Sequence, residues 1–349
     1  MTISLDRPTG PVSVVAPDPA VRWLAVLALA LGGFAIGTTE FVAMGLLPDI
    51  ASSLGITEPT AGHVISAYAM GVVIGAPVIA ALAARVPRKA LLLALMAVFT
   101  LGNLASVLAP SYGTLMIARF VAGLPHGAYF GIAALAATHL MGRQNRAKAV
   151  AHVMCGLTVA TVIGVPLASW LGQALGWRSA FGLVVAIGAI TLTALWFGLP
   201  AQLRSMHVTS PLTELAALKR VQVWLALAVG MIGFGGMFAV FSYVKPLLTE
   251  VTGLPVDGVP LVLALFGLGM VLGNLAGARL ADKSLMPTIG WLLAWSVLVL
   301  GAIPFTAPYA IAICLNVFLL GTIVAIAPAL QIRLMDTAGD AQTDRKSVV

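Results

Sequence analysis

Two residues that should carry charge lie well inside long apolar stretches of this chain, Glu40 and Arg119. An acid or base at membrane depth costs about 3 kcal/mol or more and marks a pathway, a proton relay or a structural pair. Glu40 is about seven residues from the end of its apolar stretch and Arg119 about six from the end of its own, on the same side. At about 1.5 Å per residue both sit roughly 10 Å below that surface, so one depth holds both. One reading is a proton- or substrate-linked carboxylate held near a guanidinium in a central cavity. The other is a structural ion pair tying two helices. The first is favoured, because hydrophobic partners are generally at least as stabilising as a buried pair.

Arg119, Gly123, His126 and Phe130 recur at helical spacing, with Pro125 inside the same stretch. A proline there frees a backbone carbonyl, which is tolerable only where neighbouring helices or water satisfy it. His126 is a candidate second proton carrier; a hydrogen-bonded packing residue is its plainer reading, since nothing in the sequence supplies a charged partner at its level. His63 reads as interfacial, and Asn103, Asn274 and Asn316 as interhelical glue.

The elements that must position these groups are membrane-spanning helices. Sixty per cent of the 349 residues are hydrophobic and 9% are charged, with mean hydropathy +1.04, whereas a water-soluble fold of this size has about a quarter of its residues charged. Ten stretches reach the ~20 apolar residues a spanning helix needs: 23–47, 61–84, 90–109, 113–138, 150–174, 178–199, 222–246, 259–281, 286–304 and 308–331. None alternates apolar and polar residues as an outer-membrane barrel strand does. Basic residues crowd alternate connections: Arg85, Arg88 and Lys89; Arg143, Arg146 and Lys148; Arg204, Lys219 and Arg220; Arg279 and Lys283. The intervening loops hold Arg178 and Lys245 beside Asp49, Glu58, Glu250 and Asp257. By the positive-inside rule the N-terminus is cytoplasmic. The net charge of +7 therefore reads as topology. No basic patch interleaves with aromatics in the way a nucleic-acid surface requires. Cys155 and Cys314 lie inside spans and imply no disulfide framework.

The chain also repeats itself at an offset of 198 residues. Gly32, Gly37 and Pro48 return as Gly230, Gly235 and Pro246; Tyr68, Gly71, Gly75 and Leu82 return as Phe266, Gly269, Gly273 and Leu280; Phe120 and Gly123 return as Phe318 and Gly321. Two homologous apolar halves running in the same direction are the mark of a parallel-repeat transporter. The expected organisation is a disordered cytoplasmic leader (1–21), a first six-helix bundle (22–200), a cytoplasmic linker (201–221) with a surface helix near Leu212, Leu215 and Leu218, and a second bundle (222–343). The fifth and sixth units of the first half would have partners beyond residue 348, so the second bundle is expected to hold four helices of six and to be inactive as it stands. The last six residues (344–349) match the translation of a common sequencing adapter and are expected to be non-native.

Three local motifs bring a family into view. Arg119-Phe-Val-Ala-Gly123-Leu-Pro-His-Gly127, Gly156-Leu-Thr-Val-Ala-Thr-Val-Ile-Gly164-Val-Pro166, and Ala80-Ala-Leu-Ala-Ala84-Arg85-Val-Pro87-Arg88-Lys89, echoed by Ala278-Arg-Leu-Ala-Asp282-Lys283, resemble the segment-four, segment-five and loop motifs of the major facilitator superfamily, twelve-helix drug:proton antiporter group. Gly37-Thr-Thr-Glu40-Phe41 with Gly45-Leu-Leu-Pro48 is similar to the branch of arabinose-efflux-like permeases and bacterial chloramphenicol exporters. The resemblance implies an all-α major facilitator fold with about ten of twelve transmembrane helices present. It associates Arg119 with proton coupling and has Gly164 and Pro166 bend their helix at the interface between halves. The loop motif departs from the family at Ala84, where an acid is usual, and at Pro87, where a glycine is usual. Asp282 keeps the charge in the second half.

The expected activity is export of a small lipophilic, phenicol-like molecule by alternating access, coupled to protons at the bacterial inner membrane by a monomer with no cofactor beyond the proton gradient. Glu40, Arg119 and His126 are assigned to proton coupling, and Thr38, Thr39, Phe41, Tyr68, Phe234 and Phe238 to the substrate cavity. Arg85, Arg88, Lys89, Gly164, Pro166, Asp282 and Lys283 are assigned to the conformational gate, although the basic residues among them also serve topology. An efflux permease for a sugar or metabolite is the alternative within the same fold, and a non-transporting membrane sensor lies outside it. The histidines are dispersed, and no HExxH or GxSxG-like pattern suggests an enzyme.

Overall fold

The computed structural model of the protein describes residues 19–82, 86–142, 145–200, 203, 220–330 and 333. Every regular element among them is helical, and ten helices are long and apolar enough to cross a membrane. They are α1 (Arg22–Gly45), α2 (Glu58–Ile79), α3 (Arg88–Leu108), α4 (Tyr112–Met141), α5 (Lys148–Leu175), α6 (Trp177–Gly198), α7 (Val221–Ser242), α8 (Val256–Lys283), α9 (Leu285–Thr306) and α10 (Ala310–Leu330). A helix satisfies its own backbone inside the segment, which is why so apolar a chain resolves into helices. Most of the leader, most of the linker with its surface helix, Arg85 and the last sixteen residues fall outside the described residues.

Local chemistry sets the helix ends. A short helix, Leu47–Leu54, follows α1 and stops at Gly55, whose φ of 63° suits a residue without a Cβ. Helix α4 opens with a capping box in which the Thr114 amide donates to Ser111 Oγ and the Ser111 amide to Thr114 Oγ1. Pro125 interrupts α4, with helical residues ending at Gly123 and resuming at His126. Pro166 has no N–H to give to the preceding turn, and that turn, Ala160–Gly164, widens to a π-helix inside α5.

The repeat in the sequence is a repeat of one helix crossing. Helix α2 packs on α4, and α8 packs on α10 in the corresponding way. A Cβ at Gly71 would lie 2.2 Å from the Phe120 carbonyl oxygen, and one at Gly269 would lie 2.0 Å from that of Phe318. Across the same crossings, a Cβ at Gly123 would meet the Tyr68 carbonyl, and one at Gly321 the Phe266 carbonyl, each at 2.2 Å. All four contacts are with backbone, so these glycines set how closely the paired helices approach. Offsets of 198 residues relate every partner in one crossing to its counterpart in the other.

The most extensive of the other first-half contacts join α1 to α5 and α3 to α6, and α1 also packs on α6 and α3 on α4. The halves meet along two seams. In one, α5 lies on α8, and a Cβ at Gly267 would fall 2.3 Å from the Thr161 carbonyl oxygen. In the other, Phe41 of α1 stacks on Phe238 of α7 at 6.0 Å and meets Phe241 edge-on at 6.0 Å, while Phe241 stacks on Phe266 of α8 at 3.8 Å. These rings form part of one buried cluster with Met44, Val165, Met237 and Leu263.

Candidate functional site

A cavity of about 750 Å³ lies between α2 and α7, with its deep wall formed by α1 and α4. Glu40, Met44, Tyr68, His126 and Phe238 line its inner part. Pro59, Gly62, His63 and Tyr243, near the helix ends opposite the basic connections, line its outer part. The wall is mainly apolar, and Glu40 is the only acid among the described residues that line it. No described residue gives the Glu40 carboxylate a hydrogen bond or an ion pair. Its neighbour Thr39 points elsewhere, because successive helical residues are turned by about 100°.

Arg119 occupies the layer behind this wall and is fully buried. Its Nη1 donates to Thr39 Oγ1 at 2.9 Å and to Asn103 Oδ1 at 3.5 Å, and its Nη2 to the Thr39 carbonyl at 3.0 Å. The Thr39 hydroxyl donates to Asn103 Oδ1 at 2.6 Å, and the Asn103 amide nitrogen to the Phe99 carbonyl at 2.9 Å. The guanidinium lies 4.5 Å from the Tyr68 ring centroid and 5.0 Å from that of Phe181. The structure therefore holds a buried cation with neutral oxygens and aromatic faces, a combination suited to a delocalised guanidinium. A direct ion pair between Glu40 and Arg119, the structural alternative weighed from the sequence, is not what secures it. The two charges share a depth and act on each other electrostatically without a hydrogen bond between them.

Tyr68 connects the two layers. One face of its ring covers Arg119, while its hydroxyl shares a 3.0 Å hydrogen bond with His126 Nδ1. The His126 ring also packs against Phe130, 5.4 Å away. Thus Glu40, Tyr68, His126 and Phe238 come together on one cavity surface. Thr38, Thr39, Phe41 and Phe234 do not line it. Thr38 is buried, donates to the Phe34 carbonyl at 2.8 Å and packs where α1 meets Gly164. Thr39 belongs to the Arg119 network, Phe41 to the seam between halves, and Phe234 packs against the second-half clusters. Conversely, Ser66, Ala69, Val72 and Val73 of α2 line the cavity without having been singled out. Their spacing along α2 gives one helical face, but apolar spans have faces of this kind on every side.

One charged contact between halves was also not foreseen. Lys245, just beyond α7, forms a salt bridge with Asp49 of the short helix after α1. The Lys245 side chain is 7% exposed and that of Asp49 is 31% exposed. The pair joins residues 196 positions apart at the end of the molecule opposite the basic connections.

The family model for the Major Facilitator Superfamily matches residues 29–345. The chain belongs to that superfamily. It is 42% identical over 318 residues to the inner membrane transport protein YdhP of Escherichia coli, covering 90% of this chain and 81% of that one. It is 35% identical over 321 residues to a chloramphenicol resistance protein of Streptomyces lividans, with the same coverage of each. Its fold is similar to that of a bacterial homologue of the human lysosomal transporter Spinster (TM-score 0.73, 18% identity, 93% of this chain and 79% of that one). A D-xylose–proton symporter has a TM-score of 0.66 at 14% identity, covering 90% of this chain and 85% of that one. The protein is accordingly a multi-pass membrane transporter of the major facilitator fold, with a small molecule as substrate.

Of the residues assigned to a conformational gate, the described ones occupy three places in this major facilitator fold. Lys89 donates to the carbonyls of Trp196 and Leu199, each at 2.6 Å, and so closes the C-terminal end of α6. Arg88 is buried at the first residue of α3, and Asp282 and Lys283 are exposed at the end of α8. Gly164 and Pro166 stand at the π-helical turn of α5, beside the α5–α8 seam.

Proposed function

We propose that this transporter exports a small lipophilic, phenicol-like molecule from the bacterial cytoplasm in exchange for protons. Positive-inside topology then makes the basic face cytoplasmic, along with the N-terminus. The observation that carries the reading is the cavity itself, a mainly apolar chamber of about 750 Å³ where Glu40, its one acid among the described residues, makes no hydrogen bond or ion pair with any of them. That volume is within the range of sites that take drug-sized ligands, which are mostly apolar with a few placed polar groups. The resistance phenotype in the name of the Streptomyces relative supports the choice of ligand class.

In this mechanism the two halves rock about the α5–α8 seam, exposing the cavity to one side of the membrane and then to the other. Glu40 takes a proton when the cavity faces outward, which favours release of the substrate there, and surrenders it inward. Tyr68 and His126 place a hydrogen-bonded pair on the same wall for the proton's passage. Arg119 holds the α1–α3–α4 layer behind Glu40 in register and keeps a fixed positive charge near it. The test is a drug-susceptibility panel on cells expressing the full-length transporter, with and without an uncoupler. Reduced phenicol accumulation that collapses with the gradient, and with Glu40→Gln, is the expected result. Undiminished efflux by Glu40→Gln removes the role given to that residue.

A further inference from the structure

A second cavity, of about 460 Å³, lies where α1, α4 and α5 meet the basic face. Arg22, Trp23, Val26, Asn145, Lys148 and His152 line it, and no acid does among the described residues. Arg22 and Lys148 open the apolar spans of α1 and α5, whose helices begin at Pro19 and Arg146, so both cationic side chains stand near the ends of those spans on the basic face. The Arg22 Nε is shut off from solvent and has no hydrogen-bond partner among the described residues. His152 donates from Nδ1 to the Lys148 carbonyl at 2.5 Å, since a carbonyl only accepts, and this turns the other edge of its ring away from the backbone. Trp23 stacks edge-on to His152 at 5.0 Å and is 47% exposed. Tryptophan in this position is characteristic of the membrane–water boundary.

Below the cavity, toward the middle of the membrane, the two helices present apolar surface to the lipid. Leu24 and Leu27 of α1 are 61% and 60% exposed, and Cys155 and Val159 of α5 continue the helical row begun by Lys148 and His152. A cationic pocket at headgroup depth above an exposed apolar track has the shape and polarity of a phospholipid. A soluble anion would match the pocket but would have no use for the track.

We propose that this cavity binds the headgroup of an anionic glycerophospholipid of the surrounding leaflet. Its phosphate lies between Arg22 and Lys148, and its acyl chains run along Leu24, Leu27 and Cys155. The bound lipid bridges α1 and α5, the pair whose packing at Gly156 and Ala30 is backbone to backbone. It therefore braces the helix that carries Glu40 against the helix that forms the seam with α8. Two cationic side chains near an anionic surface contribute enough that removing both weakens binding by about tenfold or more.

The experiment uses the purified full chain in detergent, with thermal melting and native mass spectrometry as readouts. Phosphatidylglycerol, phosphatidylcholine and inorganic phosphate are added in separate arms. The expected result is a raised melting temperature and a retained adduct with phosphatidylglycerol alone. The double substitution Arg22→Gln, Lys148→Gln abolishes both, while Arg279→Gln, which removes an exposed charge elsewhere on the same face, leaves both intact. If the double variant does not fold, Lys148→Gln alone, at an exposed side chain, carries the test. An equal shift with phosphatidylcholine, an equal shift with inorganic phosphate, or undiminished phosphatidylglycerol binding by the variants overturns the proposal.

Discussion

Consider the separation of the two halves when Lys245 or Asp49 is changed. Removing one partner of a fully buried ion pair costs about 3–5 kcal/mol, because the other charge is left unsolvated. An exposed pair contributes about 0–1 kcal/mol. With side chains 7% and 31% exposed, the Lys245–Asp49 bridge falls between these limits, so about 1–3 kcal/mol is the expected coupling. If the bridge exists only while the halves are closed at this end, losing it lowers the closed-to-open ratio by a factor of about 5 to 150. Spin labels at the exposed positions Ser52 and Val256, one on each half, report that ratio as a distance distribution. Lys245→Met and Asp49→Asn each shift the distribution toward longer distances. The charge swap Asp49→Lys, Lys245→Asp restores most of the short population. Distributions unchanged by the single substitutions, or a swap no better than either of them, refute a latching role for this bridge.

Four further outcomes follow from the same geometry. Gly71→Ala drives a Cβ into the Phe120 carbonyl and lowers the melting temperature and folded yield, whereas Gly113→Ala, with nothing within 4 Å, changes neither. Arg119→Lys keeps the charge but loses the forked donation to Thr39, so transport falls at least tenfold by an uptake assay while the protein still inserts and folds. Tyr68→Phe removes the partner of His126 Nδ1 and costs about 1–3 kcal/mol if the imidazole is left unsatisfied, measured as a loss of thermal stability beyond that of a cavity-neutral change. Glu40→Gln changes stability little, because it replaces a cavity-lining carboxylate that makes no hydrogen bond or ion pair among the described residues with a neutral isostere; thermal melting checks this.

Much of the architecture was legible because the membrane leaves a chain few choices. Runs of apolar residues gave all ten spans, and the offset of Gly71, Gly75 and Gly123 from Gly269, Gly273 and Gly321 marked the repeat, though not the helix crossing it builds. Depth was also legible, since counting residues from the helix ends put Glu40 and Arg119 at one level. Azimuth was not. In a helix apolar on all sides nothing shows which face turns inward, so Thr38, Thr39 and Phe41 were grouped with Glu40, although Thr39 faces Arg119 and Phe41 faces α7. Partnership across long separations was equally hidden. Asp49 and Lys245 read as ordinary loop charges, because no periodicity joins positions 196 residues apart. Lys89 read as a gate and topology signal, but its two carbonyl contacts depend on where α6 ends in space.

The central claim is that Glu40, in a mainly apolar chamber, exchanges a proton for the substrate. Its most direct test is proton movement by the purified protein in sealed vesicles, followed with an internal pH dye when a phenicol is added on one side. The account predicts a substrate-evoked pH change that disappears with Glu40→Gln while the ligand still binds. An equal pH change from the Glu40→Gln protein would contradict it.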